Sequence, residues 1–195
     1  MLNSLKELTD RFAAKEAEVS LYAETNELIV DARDSLVDDD DLSALVGFEN
    51  LVYLHLAGSD VTIASMRHIV TFFKLEFLDL GRTRCDESCL EALTKLTELG
   101  GLGLSGMRIQ TQFDNILLLR NLDVLDLSNT RVSKEAVRLV LQLTEVSSLD
   151  LSGNGFEPCD FMDLDLLVDD ARTVSLKFGS GVRAGIARPP IVRSK

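Results

Sequence analysis

The chain has 195 residues, 46% of them apolar and 35 of them leucine, enough to bury one core without disulfides or metals. Acidic residues outnumber basic ones 32 to 20, and the net charge of -12 argues against a nucleic-acid phosphate backbone as the main ligand. Three cysteines, no secretory pattern at the N-terminus and no apolar run near about 18 residues disfavour a disulfide scaffold and direct membrane insertion, and predict an intracellular protein, cytoplasmic or nuclear.

Leu5, Leu8 and Phe12 fall at i, i+3 and i+7 and predict an amphipathic helix within residues 2–18. Residues 1–25 are read as a capping helix and turn, with a partner-docking helix as the rival reading. Next come residues 19–22, a turn at Glu24-Thr25-Asn26 and residues 28–30, which predict either a hairpin or an irregular extra coil. Asp38 to Asp41 stand just ahead of an expected helix, where carboxylates suit the positive end of the helix dipole. A divalent cation there would need oxygen ligands that the neighbouring sequence does not supply.

From residue 51 a string of the form apolar-x-x-Leu-x-Leu recurs, ending at Leu56, Leu80, Leu104, Leu127 and Leu151, with steps of 24, 24, 23 and 24 residues. A core-type residue follows each copy five positions on, at Val61, Cys85, Ile109, Val132 and Phe156. In residues 122–127 alternation points Leu125 and Leu127 inward and Val124 and Asp126 outward, as in a short strand. Helices are predicted over 42–46, 65–73, 87–96, 113–119 and 134–143, the last with Ser133 as N-cap. Weaker copies flank the five, at Leu28 and Val30 with Leu36, and at Val174 with Leu176.

On these residues the chain resembles the leucine-rich repeat family, L-x-x-L-x-L-x-x-N-x-L, over residues 26–178. The resemblance implies an α/β fold: a right-handed horseshoe solenoid of about seven coils, parallel strands on the concave face and helices on the convex face. At the asparagine position the chain has Ser59, Thr83, Met107, Thr130 and Asn154. The hydroxyls are expected to bond a neighbouring turn, and Met107 to leave its coil looser.

Residues 157–170 carry six acids and no base, and residues 171–195 six bases and no acid. Without that +6 segment the charge of residues 1–170 is -18. Gly179, Gly181, Gly185, Pro189 and Pro190 predict an extended or disordered tail over 179–195, with Arg183, Arg188 and Arg193 as candidate anchors and as the only plausible contact to nucleic acid.

No catalytic site, cofactor or metal is expected. Gly101-Leu102-Gly103-Leu104-Ser105-Gly106 reads G-x-G-x-x-G, but Leu102 and Leu104 are core leucines of a strand rather than the opening of a helix. Cys85 and Cys89 fall on core positions, and His55 and His68 belong to opposite faces. The informative feature is the set of outward strand positions. They align as Tyr53, Phe77, Gly101, Val124, Ser148; as His55, Asp79, Gly103, Asp126, Asp150; and as Ala57, Gly81, Ser105, Ser128, Ser152.

Aromatic anchors beside carboxylates predict a face, centred on Tyr53, His55, Phe77, Asp79, Asp126 and Asp150, that binds a protein of basic or mixed charge. Gly100, Gly101 and Gly103 predict a dent in its middle. The expected function is a non-catalytic interaction scaffold or adaptor. The resemblance also implies two alternatives: a substrate-recruiting subunit of a ubiquitin ligase, for which about 25 residues before the first coil leave little room for a helical box, and a structural subunit of a nucleoprotein or cytoskeletal assembly held by the basic tail.

Overall fold

The computed structural model describes residues 4–143, 146–161, 173–179 and 182–187. They form a mixed α/β fold around one nine-stranded sheet whose strands lie side by side in sequence order. Strands β1 (Glu18–Leu21) and β2 (Leu28–Asp31) make the antiparallel hairpin, one of the two arrangements open from sequence. Then β3 (Leu51–His55), β4 (Phe77–Asp79), β5 (Gly101–Gly103), β6 (Val124–Asp126), β7 (Ser148–Asp150) and β8 (Thr173–Gly179) add in parallel.

The pairing register is the sequence step made physical. Leu54, Leu78, Leu102, Leu125, Leu149 and Leu176 are successive partners, so each strand meets its own equivalent in the next. A slip of one residue would turn every leucine to the opposite face, which the buried columns forbid. Leu51, Leu54, Leu56 and their equivalents through Leu151 are nearly inaccessible and join one continuous core.

Returning to the next parallel strand within 24 residues leaves little room for helix: the segments expected at 65–73, 87–96 and 113–119 are shorter than predicted, and the one expected at 42–46 begins earlier, at Asp39. They are α2 (Asp39–Leu42) with a 3-10 turn at Ser43–Leu45, a 3-10 turn at Ile63–Ser65 with α3 (Met66–Ile69), α4 (Cys89–Leu93) and a 3-10 segment at Phe113–Leu118. Among the described residues only α5 (Lys134–Leu143) reaches ten residues, and the Ala136 N–H donates to Ser133 Oγ as the N-cap reading requires.

The turn leaving each strand repeats a left-handed residue at Asp34, Gly58, Arg82, Gly106, Asn129 and Gly153, with φ between 50° and 77°. The N–H of each of the first five donates to a carbonyl of the next turn at 2.7–2.8 Å. Glycine alternates with longer residues for a steric reason. A Cβ on Gly153 would collide with the Asn129 carboxamide, and one on Gly58 would lie 3.1 Å from Asp34 Cγ.

Three expectations shift at these turns. Ser35, Ser59, Thr83 and Thr130 each bond the carbonyl three residues back in their own turn, at 2.6–2.7 Å; the Thr130 hydroxyl also lies 3.4 Å from Asn154 Oδ1 in the next turn, and Asn154 reaches the preceding turn with both ends of its amide, donating to the Leu127 carbonyl and accepting from the Arg131 N–H. Met107 does not loosen its turn. It is buried, and its N–H closes the turn on the Leu104 carbonyl at 3.0 Å. In the first copy Val37, not Leu36, fills the core slot; Leu36 is 54% exposed.

At the N-terminal end α1 (Leu5–Ala13), capped by Ser4, buries Leu8 and Phe12. It is tied to the aspartate run by Arg11 Nε, 2.8 Å from Asp41 Oδ1, and by Lys15 Nζ, 3.0 Å from Asp38 and 3.2 Å from Asp41. At the other end, Val182–Ala187 of the expected tail is an ordered edge strand, β9, antiparallel to β8. Phe161 packs on Phe156 and Phe178 with ring centroids 5.5 and 6.0 Å apart. Arg188 and Arg193 lie outside the described residues. Among the described residues no helix is long and apolar enough to cross a membrane.

Candidate functional site: the open face of the sheet

The face turned away from the leucine core carries the predicted columns in register. Tyr53 and His55 stand on β3, Phe77 and Asp79 on β4, Asp126 on β6 and Asp150 on β7. The pairing extends both columns at their ends, with Ile29 and Asp31 on β2, and Ser175 and Lys177 on β8. Lys177 is paired in turn with Arg183 on β9, so the carboxylate column runs into two basic register positions.

The aromatic residues form a stack. Tyr53 and Phe77 lie nearly parallel with centroids 6.0 Å apart, and His55 tilts against Phe77 at 4.6 Å. His55 Nδ1 is buried in this stack without a hydrogen-bond partner. Phe77 leans onward over β5, where a Cβ on Gly101 would lie 2.5 Å from its Cδ2. Asp79 leans the same way, its Cγ 2.6 Å from where a Cβ on Gly103 would be. The dent expected at the glycines is therefore filled, by the ring of Phe77 and the carboxylate of Asp79. What is exposed beyond them is Val124, 42% accessible.

Each column aspartate also serves its own turn. The N–H groups of Gly81, Ser128 and Ser152 donate to Oδ1 of Asp79, Asp126 and Asp150 at 2.8–2.9 Å, as in Asx turns. The N–H of Arg33 does the same to Asp31 at 3.2 Å. The carboxylates differ in their cations. Asp31 is gripped by Arg33, whose hydrogen bonds hold its carboxyl below the usual carboxylate range. Asp150 is likewise held below it: burial pushes its carboxyl up, but hydrogen bonds from Lys177, 2.5 Å away, and Ser152 outweigh that. Asp79 and Asp126 form no salt bridge among the described residues.

One feature was not anticipated from sequence. Beside the aromatic stack, at the start of the strands, a cleft of about 320 Å³ is lined by Asn26, Glu27, Asn50, Lys74, Glu76 and Glu98, among others. Spacing does not collect these residues, because Glu76 and Glu98 occupy different positions of the repeat: one 24-residue step from Glu98 stands Lys74, and one step from Glu76 stand Val52 and Gly100.

The residues weighed for chemistry lie elsewhere. Cys85 and Cys89 are in the core, where burial pushes their thiols up to about 11 and about 12, so neither supplies a thiolate near neutral pH. Among the described residues no three His, Cys, Asp or Glu side chains converge as a metal site would require. No protein-family model matches the chain, and no curated protein is significantly similar to it.

Proposed function

We propose that the chain is a leucine-rich-repeat solenoid whose open strand face is its concave side, and that it works as a non-catalytic scaffold holding a protein partner of basic or mixed charge on that face. The observation that carries the reading is the alignment, on one sheet face, of an aromatic stack with carboxylates, two of which, Asp79 and Asp126, form no salt bridge among the described residues. Aromatic side chains supply binding energy where they are desolvated, and charge sets encounter rate and partner choice. A solvated face that served only its own turns would need the aspartates but not Tyr53, Phe77 or exposed Val124 beside them.

The test is quantitative affinity capture from native lysate with Val124→Lys/Asp126→Lys against the unmodified chain. Val124 is exposed and Asp126 half-buried on the open face, and among the described residues the one side-chain hydrogen bond lost is that from the Ser128 N–H, so circular dichroism should be unchanged. A partner captured by the unmodified chain should be lost. Undiminished capture of every partner by the variant would overturn the reading.

A further inference from the structure

We propose that Asp79 and Asp126 form a clasp for one arginine side chain of a basic protein segment lying across β5, and that Gly103 sets the spacing of the clasp. This rests on the open face being the docking surface, and adds the group recognised and where it sits.

Of the four carboxylates in the column, the outer two are already satisfied by the chain's own cations, Asp31 by Arg33 and Asp150 by Lys177. The inner two form no salt bridge among the described residues, and Arg33 acts on Asp79 only at longer range. Asp79 and Asp126 flank Gly103 in register, two strands apart, or about 9.6 Å. Gly103 has no side chain, so Asp79 lies over it, which brings its carboxylate to about one strand spacing, about 5 Å, from the Asp126 column position.

Each carboxylate commits Oδ1 to the N–H two residues on, and its Oδ2 accepts no hydrogen bond among the described residues. The Asp79 carboxylate over Gly103 and Asp126 on the next strand thus occupy neighbouring column positions, an arrangement complementary to one cation between them.

Geometry selects the kind of cation. The rings of Tyr53, His55 and Phe77 are stacked on one another and Phe77 covers Gly101, so they offer an apolar ledge rather than an open cage for an ammonium group. A guanidinium is a planar fork with several N–H donors and bridges two separated acceptors, whereas an ammonium is a point charge. The arginine stem would lie along exposed Val124 and the edge of Phe77.

The experiment is fluorescence anisotropy with fluorescein-labelled nona-arginine and nona-lysine peptides at low salt. It compares the unmodified chain with two charge-matched double variants, Asp79→Asn/Asp126→Asn and Asp31→Asn/Asp150→Asn, the single inner variants, and Gly103→Ala. Asparagine keeps the Oδ1 acceptor each turn uses, so both doubles should fold and lose the same charge. The inner double should weaken nona-arginine binding about tenfold and the outer double less than about twofold. Each inner single and Gly103→Ala should move the same way as the inner double.

Equal losses in the two doubles would overturn the clasp while leaving the face as a docking surface. Equal affinity for nona-lysine would overturn the assignment to a guanidinium. Failure of the unmodified chain to bind either peptide would overturn both the clasp and the docking surface.

Discussion

Asp38 to Asp41 and the column of Asp31, Asp79, Asp126 and Asp150 are both strings of aspartate, and the fold uses them differently. In the first, every carboxylate but that of Asp40 is engaged inside the chain. Asp38 caps α2 and makes a reciprocal capping box with Asp41. Asp39 accepts the N–H and hydroxyl of Thr62 and the hydroxyl of Ser65, and Asp41, 2% exposed, is paired with Arg11 and Lys15. In the second, the inner aspartates give one oxygen to a turn and form no salt bridge among the described residues. An acidic run is therefore assigned by what its oxygens touch. The denser run holds the molecule together, and the sparser one is the better candidate for meeting another molecule.

The largest effect should come from Asp41→Ala. It removes the Arg11 and Lys15 ion pairs to Asp41, leaving Lys15 on Asp38 as the remaining ion pair of that tether, and breaks the capping box. Breaking a buried ion pair costs about 3–5 kcal/mol; because Arg11 and Lys15 are each about one-third exposed, about 2–3 kcal/mol is expected from urea unfolding. A loss no larger than that of Asp126→Asn would erase the distinction between the two strings.

Acid should weaken the turns that engaged carboxylates stitch together. Burial pushes the Glu87 carboxyl up, but the N–H groups of Gln110, Thr111 and Gln112 and the Thr111 hydroxyl outweigh that and lower it to about 2 from an ordinary 4.5. A carboxylate lowered on folding contributes stability that is complete above 4.5 and is lost as pH falls toward 2. Glu87→Gln should therefore flatten the fall in urea midpoint across that window. An unchanged slope would mean that these hydrogen bonds do not persist in solution.

Smaller effects belong to the open face. Gly103→Ala must push Asp79 aside, but the obstacle is the end of a side chain, and a loss under about 1 kcal/mol is expected. Asp126→Asn, which keeps its turn acceptor, should change stability by less than about 0.5 kcal/mol. A larger loss at Asp126 would place that residue with the structural string.

Leucine spacing made the strand registers and the outward columns legible, because a parallel stack pairs each residue with its equivalent one period away. Details that depend on a single atom's reach were not. Whether Leu36 or Val37 fills the first copy's core slot turns on a one-residue slip that both apolar residues permit. Spacing does not reveal that Asp79 and Phe77 lean over Gly103 and Gly101, since lean is set by the absence of a neighbour's Cβ. The helical expectations over 65–73, 87–96 and 113–119 are too long because apolar periodicity cannot distinguish an α-turn from a 3-10 turn, whereas 134–143 matches α5. In the basic tail, the composition that suggested an extended or disordered segment is also compatible with an edge strand.

Hydroxyl-radical footprinting of the chain alone and bound to its captured partner tests the central claim most directly, because side chains of the same type lie on and off the open face. Tyr53, Phe77 and Val124 should become protected, while Tyr22 and Phe73, 56% and 69% exposed and outside the columns, should react as before. Protection of Tyr22 and Phe73 with Tyr53, Phe77 and Val124 unchanged would contradict the assignment of the open face as the binding surface.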